Sequence, residues 1–174
     1  MSQTATAEVI ENLEYQYYEV NVAANQSLRS ALNQASTIRQ DGKTHHGYTK
    51  WYIHWRFHWN NNPSGQCRIV SSKTSLQGTI LLPRLASPLA QRKQFDRYMI
   101  ALREHELGHY KIGQEAAKAI DEQFLSLPSS SHCKALEKPA NDSAYQILEK
   151  YKHADKEYDA KTIHGKTQGA WLED

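Results

Sequence analysis

The sequence predicts an α+β domain in which a mostly antiparallel sheet of about four strands packs on a long helix. Residues Tyr48 to Trp59 alternate strictly between two sets of side chains, which is typical of a half-buried strand. Apolar residues recur at helical spacing from about Leu89 to Leu125. The order is strand, helix, three strands and then helices, so strands and helices do not alternate as they would in an α/β fold.

The N-terminal third is predicted to contain one strand and one helix. Residues 1–12 are polar and are expected to form a loosely ordered arm before a single domain at residues 13–174. Tyr15 to Val22 is rich in aromatic and β-branched residues and is a predicted strand. A helix is predicted from Ser27 to Gln40, where the turn residues Asp41-Gly42 end it.

The middle of the chain is predicted to be a hairpin followed by a short strand. Asn60 to Gly65 has turn chemistry, and Gln66 to Ser75 is expected to return as the hairpin partner of the alternating strand. Thr79 to Leu82 is a short apolar strand between Gly78 and Pro83. We expect it to be an edge strand.

Two helices complete the predicted fold. The long helix contains Gly108 and Gly113, each of which weakens an isolated helix by roughly 1 kcal/mol, and it could be interrupted once. Ser143 to about Tyr158 is the last predicted helix.

Composition excludes several classes of protein. The 174 residues include 21 Lys+Arg and 19 Asp+Glu, spread along the chain, so no basic stripe indicates a nucleic-acid partner. No segment approaches the roughly 18 apolar residues of a membrane span. The first twenty residues show no signal peptide, which leaves the cytoplasm open as a location. Two cysteines could form one disulfide or remain buried thiols, and the oligomeric state is not indicated.

The motif that carries chemistry is His-Glu-x-x-His at His105, Glu106 and His109, inside the long predicted helix. Histidines four residues apart lie on the same helix face, so both rings can bind one metal ion. Zinc lowers the pKa of a bound water to about 7, and Glu106 can then act as its general base. Shuffling this composition yields roughly 0.03 such matches, so chance is a poor explanation.

A catalytic zinc usually has three protein ligands, and the helix supplies two. The main candidates for the third ligand lie near the C-terminus: Asp155, Glu157, Asp159 and His164. Glu115 is less suitable because it lies on another face of the helix. We favour His164 as the third ligand, because Gly165 allows a close backbone approach beside it. Asp159 could then orient a ligand histidine. The exchanged arrangement, with Asp159 on the metal and His164 stabilising the transition state, stays open.

Other aromatic and histidine residues near these motifs have weaker functional interpretations. Tyr158 is our candidate donor to the oxyanion of peptide hydrolysis, and Tyr110 is a weaker one. His54 and His58, on one face of the predicted strand, are expected to be solvated rather than to form a second site, and the same holds for His45-His46. A stripe of tryptophans could hold a sugar, but core packing is the default expectation; its members are Trp51, Trp55 and Trp59.

Two segments together resemble a bacterial family of secreted zinc-dependent proteases catalogued as a domain of unknown function. They are HELGHYKIGQEAA, which begins at His105, and YDAKTIHG, which begins at Tyr158, followed by Gln168-Gly169-Ala170. The resemblance also covers Tyr48 to Trp51, Cys67 and Leu82-Pro83. It implies a compact zincin-like peptidase in which Thr162-x-His164-Gly165 completes the metal site. It also implies a periplasmic or secreted location and a Cys67–Cys133 disulfide.

The sequence therefore predicts a zinc metallopeptidase, expected to be an endopeptidase, that cleaves a peptide or protein substrate. A binding or scaffolding module that holds zinc without turnover is the alternative, and a closed set of four ligands would favour it. A carbohydrate-binding module based on the tryptophan face is a third interpretation, and its binding would be insensitive to chelators.

Overall fold

The computed structural model describes residues 6–86 and 91–173 of the chain. Its elements in chain order are β1 (Thr6–Val20), α1 (Leu28–Ala35), β2 (Arg39–Gln40), β3 (Lys43–Thr44), β4 (Tyr48–Asn61), β5 (Cys67–Leu85), α2 (Arg92–Ser126) and α3 (Glu137–Thr162). Short 3₁₀ turns follow at Cys133–Leu136, just before α3, and at Lys166–Gln168, just after it. The α+β class is confirmed.

The sheet is mixed and has three strands in the order β1-β5-β4, while β2 and β3 form a separate antiparallel ribbon. A short turn joins β4 to β5, which therefore run antiparallel. β1 runs parallel to β5, because the ion pairs Glu8–Lys73 and Glu19–Arg84 join residues at the same offset along both strands. The sheet was predicted to be mostly antiparallel with about four strands; it is mixed and has three.

The strand count differs because two predicted strands, Gln66 to Ser75 and Thr79 to Leu82, correspond to the single strand β5. Gly78 lies inside β5, where a Cβ atom would be 2.5 Å from the ring of Tyr110, so the glycine lets that ring pack against the strand. β5 is the central strand of the sheet. The prediction that Thr79 to Leu82 forms an edge strand is therefore wrong, and β4 is an edge strand instead.

The other element bounds also differ from the predicted ones. β1 already includes residues 6–12, which were expected in a loosely ordered arm. α1 ends at Ala35 because Ser36 has extended backbone angles, and α2 is continuous through Gly108 and Gly113. The predicted start of the long helix, Leu89, lies outside the described residues. Among the described residues, no helix is long and apolar enough to cross a membrane.

The chain divides into two compact units. The first unit comprises the described residues of Met1–Asn12, Trp51–Gln77 and Lys111–Asp155. The second comprises the described residues of Leu13–Lys50, Gly78–Tyr110 and Lys156–Asp174. The prediction of a single domain stays a prediction.

Aromatic side chains pack around Phe124, which is fully buried in the core of the first unit. The ring of Phe124 lies 6.3 Å from that of Trp55 and 5.1 Å from that of Phe57, between centroids. The indole nitrogen of Trp55 also donates a hydrogen bond to Asn141, at 2.9 Å. Trp51 packs beside Gly113, where a Cβ atom would be 2.9 Å from its indole ring. These contacts agree with core packing of the tryptophan stripe.

The core of the second unit is built from β1, β5, α1 and the first half of α2. Its buried apolar members include Val20, Leu28, Leu32, Ile80, Leu82, Phe95, Tyr98 and Leu102. Ser27 caps the start of α1 by accepting a hydrogen bond from the backbone N–H of Ser30. α1 buries Leu28, Ala31 and Leu32, so its apolar face fixes it to the unit.

Cys67 and Cys133 form a disulfide, as the family resemblance implied. The bridge lies where β5 begins, and Cys67 also pairs through its backbone with Ser130. It therefore fastens the loop before α3 to the sheet within the first unit.

We expect removal of this disulfide to lower the free energy of unfolding by about 4 kcal/mol, because the bridge closes a loop across a sequence separation of 66 residues. Chemical denaturation of a Cys67→Ser/Cys133→Ser variant measures the loss. The parent protein in strong reductant is the control and should unfold at the same denaturant concentration as the variant. Equal stability of the oxidised parent and the variant would contradict the prediction.

Candidate metal centre

The helix α2 places the three residues of the His-Glu-x-x-His motif in the interior of the second unit. His105, Glu106 and His109 are only 3%, 4% and 7% exposed. The two histidine rings face each other edge to face, with centroids 4.9 Å apart. Both rings therefore lie on one side of the helix, as the four-residue spacing predicts.

The last turn of α3 brings Asp159 to these histidines. Its Oδ1 atom lies 3.2 Å from Nε2 of His105 and 3.1 Å from Nε2 of His109. One ligand atom from each of these three residues lies within 4.8 Å of the others. In the described residues, 6–86 and 91–173, this is the one such group that could hold a metal ion.

The turn after α3 carries His164 in a conformation that L-residues rarely adopt. Ile163, His164 and Gly165 have φ angles of 53°, 49° and 81°. Thr162 supports the turn by accepting a hydrogen bond from the Gly165 N–H at 3.3 Å. A Cβ atom on Gly165 would be 2.9 Å from the ring of His105, so this glycine lets the turn approach the motif closely.

His164 is not one of the three residues of this group, but its side chain contacts Asp159. Its Nδ1 atom is 3.2 Å from Oδ1 of Asp159, and its side chain is 33% exposed. The ring of His45 lies 4.5 Å from that of His164, between centroids. Asp159, and not His164, therefore completes the group that could hold a metal ion, and His164 lies beside it.

Gln168 forms a hydrogen bond with Nδ1, the second ring nitrogen of His105. Nδ1 of His105 lies 2.9 Å from Oε1 of Gln168, an amide oxygen that accepts a hydrogen bond from this nitrogen, and Nε2 is the ring nitrogen directed at Asp159. The Gln168 amide nitrogen donates to the hydroxyl of Tyr158 at 2.9 Å, and that hydroxyl donates to the carbonyl oxygen of His105 at 3.2 Å. This closed set of hydrogen bonds fixes the ring and its tautomer.

Tyr158 packs against the motif instead of lying free beside it. Its ring stacks on that of His105 at 5.2 Å, and its hydroxyl lies so close to Gly108 that a Cβ there would be 2.1 Å away. The Tyr158 hydroxyl is thus bound to the backbone of α2, and its role as an oxyanion donor stays a prediction. Tyr110 is buried against Gly78, so it is a core residue.

The chain matches the family described as "Bacterial protein of unknown function (DUF922)" over residues 15–165. It belongs to this family. No curated protein and no solved structure matches it. The DUF922 match spans the whole histidine and aspartate cluster, and Gln168 lies three residues beyond it. Membership gives no activity, because the family is one of unknown function.

Burial and hydrogen bonding have opposite effects on the pKa values of Glu106 and Asp159 in this DUF922 protein. Burial raises the pKa of Glu106, and a hydrogen bond from Thr49 at 2.6 Å only partly offsets it. Burial also opposes ionisation of Asp159, but hydrogen bonds from His105 and His109 hold its pKa well below its usual range. Asp159 is therefore a negatively charged group that suits a cation, while Glu106 more readily accepts a proton.

Several predicted site residues lie elsewhere. Asp155 belongs to the first unit, and Glu157 pairs with Lys161 on the surface of α3. Glu115, His54 and His58 are exposed. None of these residues joins the cluster.

The segment from His45 to Thr49 lines the centre, although His45-His46 was expected to be solvated. His46 is held between α1 and α2: its Nε2 lies 2.9 Å from Oδ1 of Asn33 and its Nδ1 lies 2.7 Å from the hydroxyl of Tyr98. A neutral ring satisfies both partners, with Nε2 donating and Nδ1 accepting. The inward position of Thr49 in the alternating strand was the one available signal for this segment.

We expect His46 to make the stability of the protein depend on pH. Burial, together with the charges of His45 and Arg29, lowers its pKa to about 4 from about 6.5 in the unfolded chain. Between these values the unfolded state binds more protons, so the free energy of unfolding falls as the pH falls from 6.5 to 4. The loss attributable to His46 is up to about 3 kcal/mol.

Denaturation of His46→Gln across this pH range measures the effect. The variant should show a flatter dependence of stability on pH than the parent. His54→Gln, a change at an exposed histidine of β4, is the matched control and should keep the parental slope. Parallel curves for parent and His46→Gln would contradict the assignment.

Proposed function

We propose that this protein is a zinc-dependent endopeptidase, and that His105, His109 and Asp159 are the metal ligands. One observation carries the proposal: two buried helical histidines and an ionised carboxylate offer three ligand atoms within 4.8 Å, directly beside a buried glutamate. Two imidazoles and one carboxylate fit the pattern of hydrolytic zinc sites, which keep a further position open. When bound, zinc supplies a Lewis acid that polarises a carbonyl group and acidifies water.

Glu106 is assigned to proton transfer. Its pKa is raised by burial, so it can take a proton from the attacking water and later pass it to the leaving amine. His164 is assigned to stabilising the negative charge that forms on the carbonyl oxygen, through its partly exposed ring. Tyr158 and Gln168 then act through His105, by holding its ring and tautomer.

An extended substrate would bind along the start of β4. β4 is an edge strand of the three-stranded sheet, and its second residue, Thr49, contacts Glu106. Unpaired backbone groups on an edge strand can align a peptide as an added strand. The Cys67–Cys133 disulfide supports an oxidising compartment such as the periplasm or the exterior.

The alternative is a zinc-containing binding or scaffolding module without turnover. The observation in its favour is that Nδ1 of His164 lies 3.2 Å from Asp159, so a fourth donor is close to the cluster. A closed site with four protein ligands would leave no position for a substrate.

We expect Glu106→Gln to retain zinc but to lose hydrolysis by at least about 100-fold, because general base catalysis is removed and no ligand is. Metal analysis and a chelator-sensitive assay on a mixed peptide library measure the two properties. Glu104→Gln is the matched control, since Glu104 is an exposed carboxylate on the same helix. A parent that binds zinc without cleaving any peptide would favour the binding module, and an unimpaired Glu106→Gln variant would refute the mechanism.

We expect the three residues around His105 and His109 to differ in their effect on zinc affinity. Asp159→Asn removes a ligand and should weaken binding by more than about 100-fold, whereas Gln168→Ala should weaken it by roughly 10 to 100-fold. His164→Ala should stay near the parental affinity. Zinc titration against a competing chelator measures all three, and a greater loss in His164→Ala than in Asp159→Asn would make His164 the third ligand.

A further inference from the structure

We propose that Thr49 is a positioning residue that holds the Glu106 carboxylate by one oxygen and leaves the other to carry the proton. This role rests on the function proposed above. The Oγ1 atom of Thr49 lies 2.6 Å from Oε2 of Glu106 and 3.0 Å from its backbone carbonyl oxygen. Thr49 is 8% exposed, so this contact is shielded from water.

Gly47 bounds the same carboxylate. A Cβ atom at Gly47 would be 2.5 Å from Oε1 of Glu106 and 3.0 Å from its Cδ and Cγ. Gly47 is not among the residues with positive φ, so an alanine there meets the Glu106 side chain without backbone strain. Thr49 therefore contacts Oε2, while the backbone of Gly47 approaches Oε1 closely.

The hydrogen bond from Thr49 separates the tasks of the two oxygens. An oxygen that already accepts a strong hydrogen bond is the weaker base, so the incoming proton goes to Oε1. One proton moves from water to Oε1 and then from Oε1 to the leaving amine nitrogen. The hydroxyl of Thr49 keeps its own proton throughout, so its effect is on position alone.

The chain offers a matched control for this contact. Thr74 is a fully buried threonine whose hydroxyl donates to Oδ1 of Asp121 at 2.9 Å, within the first unit. Thr74→Val and Thr49→Val remove the same kind of hydrogen bond, from a buried threonine to a carboxylate. Only Thr49→Val affects the proposed base.

The first test compares kinetics and zinc binding of Thr49→Val, Thr49→Ser and Thr74→Val. Thr49→Val should lower kcat by about 10 to 100-fold with KM and zinc affinity near parental values, because an unrestrained carboxylate misplaces the proton. Thr49→Ser keeps the hydroxyl and should stay within about threefold of the parent. Gly47→Ala should also lower kcat, since it displaces Oε1. Parental kcat in Thr49→Val, or equal losses in Thr49→Val and Thr74→Val, would overturn the proposal.

The second test does not depend on turnover. Denaturation of the full chain in excess chelator gives a double-mutant cycle for Thr49→Val and Glu106→Leu. We expect coupling of about fivefold or more in the unfolding equilibrium constant, because either single change leaves a buried partner without its hydrogen bond. Additive effects would overturn the contact itself. Coupling in a parent that hydrolyses no peptide would instead refute the proposed function and, with it, the role of Thr49 in positioning a general base.

Discussion

Asp159 introduces a charge into the interior of the second unit, and most of the centre is organised around it. A carboxylate that is only 17% exposed requires hydrogen-bond donors, and ring nitrogens approach it from His105, His109 and His164. Two of these rings belong to α2 and the third follows α3, so this one contact set holds both helices in register. The side chains of His105, His109 and Asp159 are also the group that could hold a metal ion, so packing and metal binding depend on the same residues.

The residues of the motif on α2 contact different neighbours because they lie on different faces of the helix. His105 and His109 face α3, where Asp159 and Tyr158 contact them. Glu106, one position further around the helix, instead meets Thr49 at the start of β4. The spacing of the motif therefore directs the two histidines and the glutamate toward different structural elements, α3 and β4.

The sequence predicted what depends on local spacing and missed what depends on tertiary contact. The pairing of His105 with His109 follows from helix periodicity, and both are buried on one face. The choice between Asp159 and His164 does not follow from spacing, because the turn at Ile163 to Gly165 decides which side chain reaches the histidines. Gly78 is a second case in which a tertiary contact overrides the local sequence signal. Its small size leaves room for the Tyr110 ring against β5, and no local propensity indicates that contact.

The turn at Ile163 to Gly165 also bears on the role of His164. Left-handed backbone angles cost roughly 1 to 2 kcal/mol for each residue that is not glycine, and Ile163 and His164 both adopt them. Burial does not account for this cost, since the Ile163 side chain is 58% exposed and that of His164 is 33% exposed. What the conformation provides is the approach of Gly165 to the His105 ring and of Nδ1 of His164 to Asp159. Strained backbone of this kind often lies at functional sites, so the turn supports the hypothesis that His164 takes part in the proposed reaction in addition to holding Asp159.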